Sequence, residues 1–176
     1  MNRRPYRSWV EVSCSQIAEN FRRVREAVGP AVEVMAVVKA DAYGHGAEEV
    51  SRVLVAQGAT WLAVSNVEEG ISLRQAGIQT RILVMADCLP FEREGLTEHQ
   101  LTPVIHSLED LAELERHARA RGVEVAYHLK LDTGMGRLGT RATSAEIVEA
   151  ILACRHARFE GLMTHFASSA NYDSPQ

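Results

Sequence analysis

Residues 37–49 read VVKADAYGHGAEE, and their reading decides between two folds. An apolar run ends on a lysine, a tyrosine and two glycines follow, and a helical pattern opens at Ala47. A strand that passes through a glycine-bearing turn into a helix can be the first unit of a doubly wound dinucleotide-binding sheet or of a (β/α)8 barrel. The dinucleotide reading needs G-x-G-x-x-G, whose third glycine lets the helix pack close to the strand. Here Gly44-His45-Gly46 is followed by Ala47, Glu48 and Glu49, with no third glycine in place. That counts against the doubly wound sheet, and the chemistry described below favours the barrel.

The same unit recurs down the chain. Apolar, β-rich runs at 34–40, 61–65, 82–86, 102–106, 123–132 and 159–167 predict six strands. Helical patterns at 15–28, 47–57, 68–76, 107–121 and 144–154 lie around and between them, and several stop at a glycine such as Gly58, Gly77 or Gly122. The segment 89–100 is the least regular connection. Near-continuous apolar strands joined by helices imply a parallel sheet, hence the α/β class. We expect an incomplete TIM-type (β/α)8 barrel with about six of its eight βα units, since a whole barrel takes roughly 250 residues. No linker-like segment divides residues 1–176, which read as one domain.

Composition narrows the chemistry by exclusion. A net charge of −4 and a pI near 6.0 argue against nucleic acid or an anionic membrane as partner. The basic stretch from Arg116 to Arg121 ends a helical pattern just before Gly122, where cations complement the helix dipole. Cys14, Cys88 and Cys154 are odd in number and far apart, which suggests reduced thiols and a cytoplasmic protein. The basic start leads into no apolar run, and no stretch approaches the roughly 18 apolar residues of a membrane span. The seven histidines show no HExxH or paired spacing, so no metal is expected, and no GxSxG elbow is present.

Polar residues among the strands mark the candidate site. Alternation puts Val125, Tyr127, Leu129 and Leu131 on one face of the fifth strand and Ala126, His128, Lys130 and Asp132 on the other. Lys130 and Asp132 either pair with each other inside the barrel or belong to an active-site shell. Lys39 shares a strand face with Met35 and Val37, and His165 shares one with Gly161 and Met163. Both stand at C-terminal strand ends, the rim on which (β/α)8 enzymes handle substrates. An amine withdrawn from water there can react as a neutral group with a carbonyl, and pyridoxal phosphate is the commonest reason to want one. Gly44 and Gly46 either let a ligand approach the backbone or only shape the turn into the next helix.

VVKADAYGHG at 37–46, HLKLDTGMGRLG at 128–139 and EGLMTHFASSA at 160–170 occur in this order, and together they resemble the corresponding segments of alanine racemases. The resemblance covers the whole chain. It implies a pyridoxal phosphate-dependent isomerase that interconverts L-alanine and D-alanine through an aldimine and two-base proton transfer, supplying D-alanine for peptidoglycan. Lys39 would be the catalytic residue that carries the cofactor. Tyr43 and His165 would line the cofactor pocket, and Arg137 would bind near the cofactor's phenolic oxygen and the substrate carboxylate. Lys130, carbamylated in some members, and Asp132 would support that arginine.

The family's opposing base is a tyrosine from a C-terminal β-rich domain of the partner subunit, and no residue here matches that motif. The resemblance therefore implies an N-terminal portion of a homodimeric enzyme, inactive alone. Two other readings stay open: a non-catalytic cofactor-binding module on the same barrel, and a racemase of different or broader amino-acid specificity. The AYGHG continuation and the GMGRLG segment count against the first of these.

Overall fold

Six parallel strands lie side by side in the order of the chain. They are β1 (Met35–Val37), β2 (Trp61–Val64), β3 (Arg81–Val84), β4 (Thr102–Ile105), β5 (Val125–Lys130) and β6 (Ala157–Met163). Because each strand pairs with its successor, the order never reverses, and a doubly wound sheet, which needs such a reversal, is excluded. The computed structural model describes residues 7–169. The basic start at 1–6 and Ala170, the last residue of EGLMTHFASSA, lie outside the described residues.

The sheet curls as a barrel does. Trp61 on β2 and His128 on β5 meet edge to face with ring centroids 5.3 Å apart. Three strand spacings on a flat sheet would separate them by about 14 Å. Arg81 on β3 likewise forms an ion pair with Glu160 on β6. Met35 of β1 and Met163 of β6 pack on the same inner cluster of Trp61, Ala63, Leu83 and Val104. β1 and β6 are the two edges of this sheet.

Helices cover the outer face. They are α1 (Cys14–Val28), α3 (Ala47–Ala56), α4 (Val67–Gln75), α5 (Arg93–Glu98), α6 (Leu108–Arg121) and α7 (Ser144–Ala153), with the exceptional α2 (Lys39–Gly44) described below. In α6, Ser107 caps the first turn by accepting the Asp110 N–H at 3.0 Å, and Leu111, Leu114 and Ala118 form one buried stripe. Gly122 ends it with a left-handed φ of 64°. Each buried leucine is worth about 2 kcal/mol, and the cap about 1 kcal/mol. Leu62, Ile82, Val84, Tyr127 and Leu129 meet these helices in the main core.

The fifth strand has the expected two faces, with Val125, Tyr127 and Leu129 in the helix-facing core and His128 turned inward onto Trp61. Several boundaries differ from expectation. The first strand stops at Val37 rather than 40, because Val38 leaves the extended region with ψ 19° and the backbone then reverses handedness from Ala40 onward. β5 and β6 end at Lys130 and Met163, where side chains of Asp132 and Thr164 take over the hydrogen bonding. The irregular connection at 89–100 holds a 3-10 turn, Pro90–Glu92, followed by the short α5. No helix among the described residues is long and apolar enough to cross a membrane.

Candidate active site

The segment after β1 is one turn of left-handed helix. Val38 still donates to Ala63 O at 2.8 Å as part of the sheet, and then Ala40, Asp41, Ala42 and Tyr43 take φ values of 50–56°. For residues with a Cβ this conformation costs about 1–2 kcal/mol each, so four in succession need outside support. Ala42 is buried in the main core and donates to Val38 O at 2.9 Å. Asp41 accepts the Ala47 N–H at 2.7 Å through Oδ1, and Glu69 on α4 accepts the Ala40 N–H at 2.7 Å. Gly44 and Gly46 continue with φ of 83° and 89°, and a Cβ added at either would meet nothing within 4 Å. These glycines serve the turn; crowding does not require them.

This geometry corrects the placement of Lys39. It does not continue the strand face of Met35 and Val37, because Val38 has already left the extended region with ψ 19°. Lys39 is half-buried at the mouth of the turn, and Tyr43 lies on the same turn with 61% of its surface exposed.

At the end of β5, Lys130 is 6% exposed. Burial lowers its pKa, the nearby Arg137 lowers it further, and Asp132 works in the opposite direction. Asp132 forms its ion pair with Arg141 at 2.6 Å, not with Lys130. It also accepts the Gly136 N–H at 2.9 Å and the Gly134 N–H at 3.2 Å. Gly136, then Arg141 and Gly134, hold its carboxyl at about 2. The loop closes where Thr140 donates to Lys130 O at 2.9 Å and Asp132 donates to Thr140 O at 3.0 Å. Arg137 sits exposed on this closed loop. Thr164 bonds the Thr133 hydroxyl at 2.7 Å and Leu131 O at 3.0 Å, tying the chain just before His165 to the same loop. His165 itself lies beyond β6 and is exposed, so it does not extend the strand face of Gly161 and Met163.

Three participants carry weak signals in the sequence. His106 follows β4, one register step from Val104↔His128 and Ile105↔Leu129, and so neighbours Lys130. It is 7% exposed, and among the described residues neither ring nitrogen has a hydrogen-bond partner. Burial and then Lys130 lower its pKa. Arg141 stands nine positions from Asp132, a spacing without a recognisable pattern. Glu69 was readable only as part of Asn66-Val67-Glu68-Glu69, which looks like an ordinary helix cap.

All six strands are parallel, so Lys39, His106, Lys130 and His165 follow the same ends of their strands and share one rim. Lys130, Asp132 and Arg137 are brought together, while Lys39 and Tyr43 stand at the edge strand β1. A primary amine beside a rim that carries Lys130 and Arg137 suits an aldehyde cofactor with anionic substituents. A cavity of about 600 Å3 between α2, α3 and α4 includes Asp41, Glu48, Glu68 and Glu69 in its lining. Those carboxylates would repel a phosphate, so the rim is the better candidate.

Residues 12–176 match the family described as alanine racemase, N-terminal domain. An alanine racemase of Halothermothrix orenii is 42% identical over 175 residues, covering 98% of this chain and 46% of that protein. Among solved structures, the alanine racemase of Bacillus anthracis with bound L-Ala-P matches with a TM-score of 0.86 at 30% identity, covering 97% of this chain and 45% of that one. Alanine racemase from D-cycloserine-producing Streptomyces lavendulae matches with a TM-score of 0.85 at 34% identity, covering 92% and 43%. The chain thus spans less than half the length of these relatives.

Proposed function

The chain belongs to the alanine racemase family, and on that premise we propose that it is the lysine-bearing half of a pyridoxal phosphate-dependent alanine racemase. The observation that carries this reading is Lys39 on its anchored left-handed turn, at the same rim as Lys130 and Arg137. When bound, pyridoxal phosphate supplies an electron sink that makes the substrate Cα–H acidic.

The chain's own residues do the rest. Lys39 Nζ would hold the cofactor's carbonyl carbon, and as a free amine it would move a proton on one face of the substrate Cα. Arg137 receives the substrate carboxylate, for which its planar guanidinium is suited. Lys130, carbamylated, would present an anion to Arg137 and hold it in place, and Asp132 closes the loop that carries that arginine. Tyr43 and His165 line the cofactor pocket. The opposite face of Cα is served by a tyrosine of a partner subunit in a homodimer, in a domain beyond these residues, so this chain alone binds cofactor without racemising. The L-Ala-P bound by the Bacillus anthracis relative supports alanine as substrate. The D-alanine formed would serve peptidoglycan synthesis in the cytoplasm.

The test joins this chain to the C-terminal portion of the Halothermothrix orenii relative and measures D-alanine formed from L-alanine. Turnover is expected in the fusion and absent from the chain alone. Lys39→Ala should lower it by at least about 100-fold, the scale of a lost acid–base group. Turnover that survives Lys39→Ala would sink the assignment.

A further inference from the structure

The backbone after Lys39 is held by a carboxylate from another element. Glu69 Oε1 accepts the Ala40 N–H at 2.7 Å, and its Oε2 accepts the Ser65 N–H at 2.7 Å. Glu69 stands in the first turn of α4, where its own N–H is capped by Asn66 at 2.9 Å. In a capping box the glutamate would fold back onto the N–H of its cap residue. Here it reaches past Asn66 to the segments that follow β1 and β2, and joins them through two charge-assisted bonds.

The Lys39 carbonyl and the Ala40 N–H belong to one planar peptide unit, so fixing the Ala40 N–H fixes the rotation about the Lys39 Cα–C bond. That rotation sets the direction of the Lys39 side chain relative to the sheet. Asp41 ties the exit of the turn to α3, and Glu69 ties its entry to β2. We propose that Glu69 is a positioning residue for Lys39, holding the entry of the strained turn so that the amine stays aimed at the rim. This rests on the reading of Lys39 as the cofactor-bearing amine.

The sequence holds only two lysines, Lys39 and Lys130, which makes the test site-resolved. The 176-residue chain and its variants are treated with pyridoxal phosphate and borohydride, and parallel samples with limiting acetic anhydride; mass spectrometry reads each lysine. Glu69→Gln leaves an amide that cannot accept from both N–H groups, and Glu69→Asp is too short to span them. Each should lower pyridoxyl labelling of Lys39 by roughly 10-fold, as misplacement of a reacting group does. Acetylation of Lys39 should not fall, and that of Lys130 should not change. The exposed neighbour variant Glu68→Gln should label as the unaltered chain does. Full pyridoxyl labelling of Lys39 in both Glu69 variants overturns the proposal. So does a parallel rise in acetylation of Lys39 and Lys130, which marks general loosening of the fold. Failure of the unaltered chain to label at Lys39 overturns the parent reading, whereas a result confined to the variants concerns Glu69 alone.

Discussion

Lys130 ends β5 as a buried side chain, 6% exposed, whereas Lys39 lies half-buried on a turn that has already left its strand. The segment after each lysine explains the difference. Beyond Lys130, Asp132 gathers Gly134, Gly136 and Arg141, and Thr140 closes the loop back onto the strand. Beyond Lys39, the backbone itself changes hand, and carboxylates from Asp41 and Glu69 hold it there. One amine is placed by enclosure and the other by backbone direction. Enclosure suits an amine that stays put, and direction without enclosure suits one that must take up and release a ligand.

The largest expected contrast is between the two amines. Lys39→Ala should lower borohydride-fixed pyridoxal phosphate by at least about 100-fold, while Lys130→Ala should leave most of the labelling of Lys39 intact. Equal losses would erase the distinction.

The two loops should also answer differently to an added methyl group. In Gly139→Ala the new Cβ would lie 2.7 Å from Asp132 N and 2.8 Å from the Leu131 carbonyl carbon, at φ +119°. Urea denaturation should show a loss of about 3 kcal/mol there. Gly44→Ala meets no atom within 4 Å and bears only the left-handed penalty, about 1 kcal/mol. Similar losses at both sites would show that the second loop is not closed by contact.

A smaller effect has opposite signs in the two regions. Ala40→Gly relieves a left-handed residue with an exposed side chain and should raise stability by about 0.5 kcal/mol. Ala126→Gly in regular β5 should lower it by about 0.5–1 kcal/mol.

The smallest effect concerns acid. Bonds from Gly136, Arg141 and Gly134 depress the folded-state pKa of Asp132 below its ordinary value. A depressed carboxylate stabilises above its unfolded pKa and loses that contribution as pH falls through the folded value. Exchange protection of the Gly136 amide should therefore hold above about pH 4 and decline toward about 2. Arg141→Ala should move the decline to higher pH.

Most of the fold was legible because apolar spacing and glycine stops carry it. The stripe of Leu111, Leu114 and Ala118 and the inward turn of His128 both follow from period alone. For the candidate site, residue chemistry nominated Lys39 and the family resemblance nominated Arg137. The site was not legible where the backbone departs from the local rule. Nothing in Ala40-Asp41-Ala42-Tyr43 announces left-handed dihedrals, which alanine and tyrosine rarely adopt, so the lysine was expected on a strand. Glu69 lies 29 positions from Ala40, and Arg141 lies across a loop from Asp132; such pairings depend on tertiary closure rather than on spacing. His106 ended an apolar run without partners in sequence, and only the β4–β5 register sets it beside Lys130.

The most direct measurement is the location of the borohydride-fixed cofactor in the unaltered chain. An adduct confined to Lys39, with Lys130 unmodified, is the result expected from the anchored turn. An adduct of comparable yield on Lys130, or on the N-terminal amine alone, would contradict the role of Lys39.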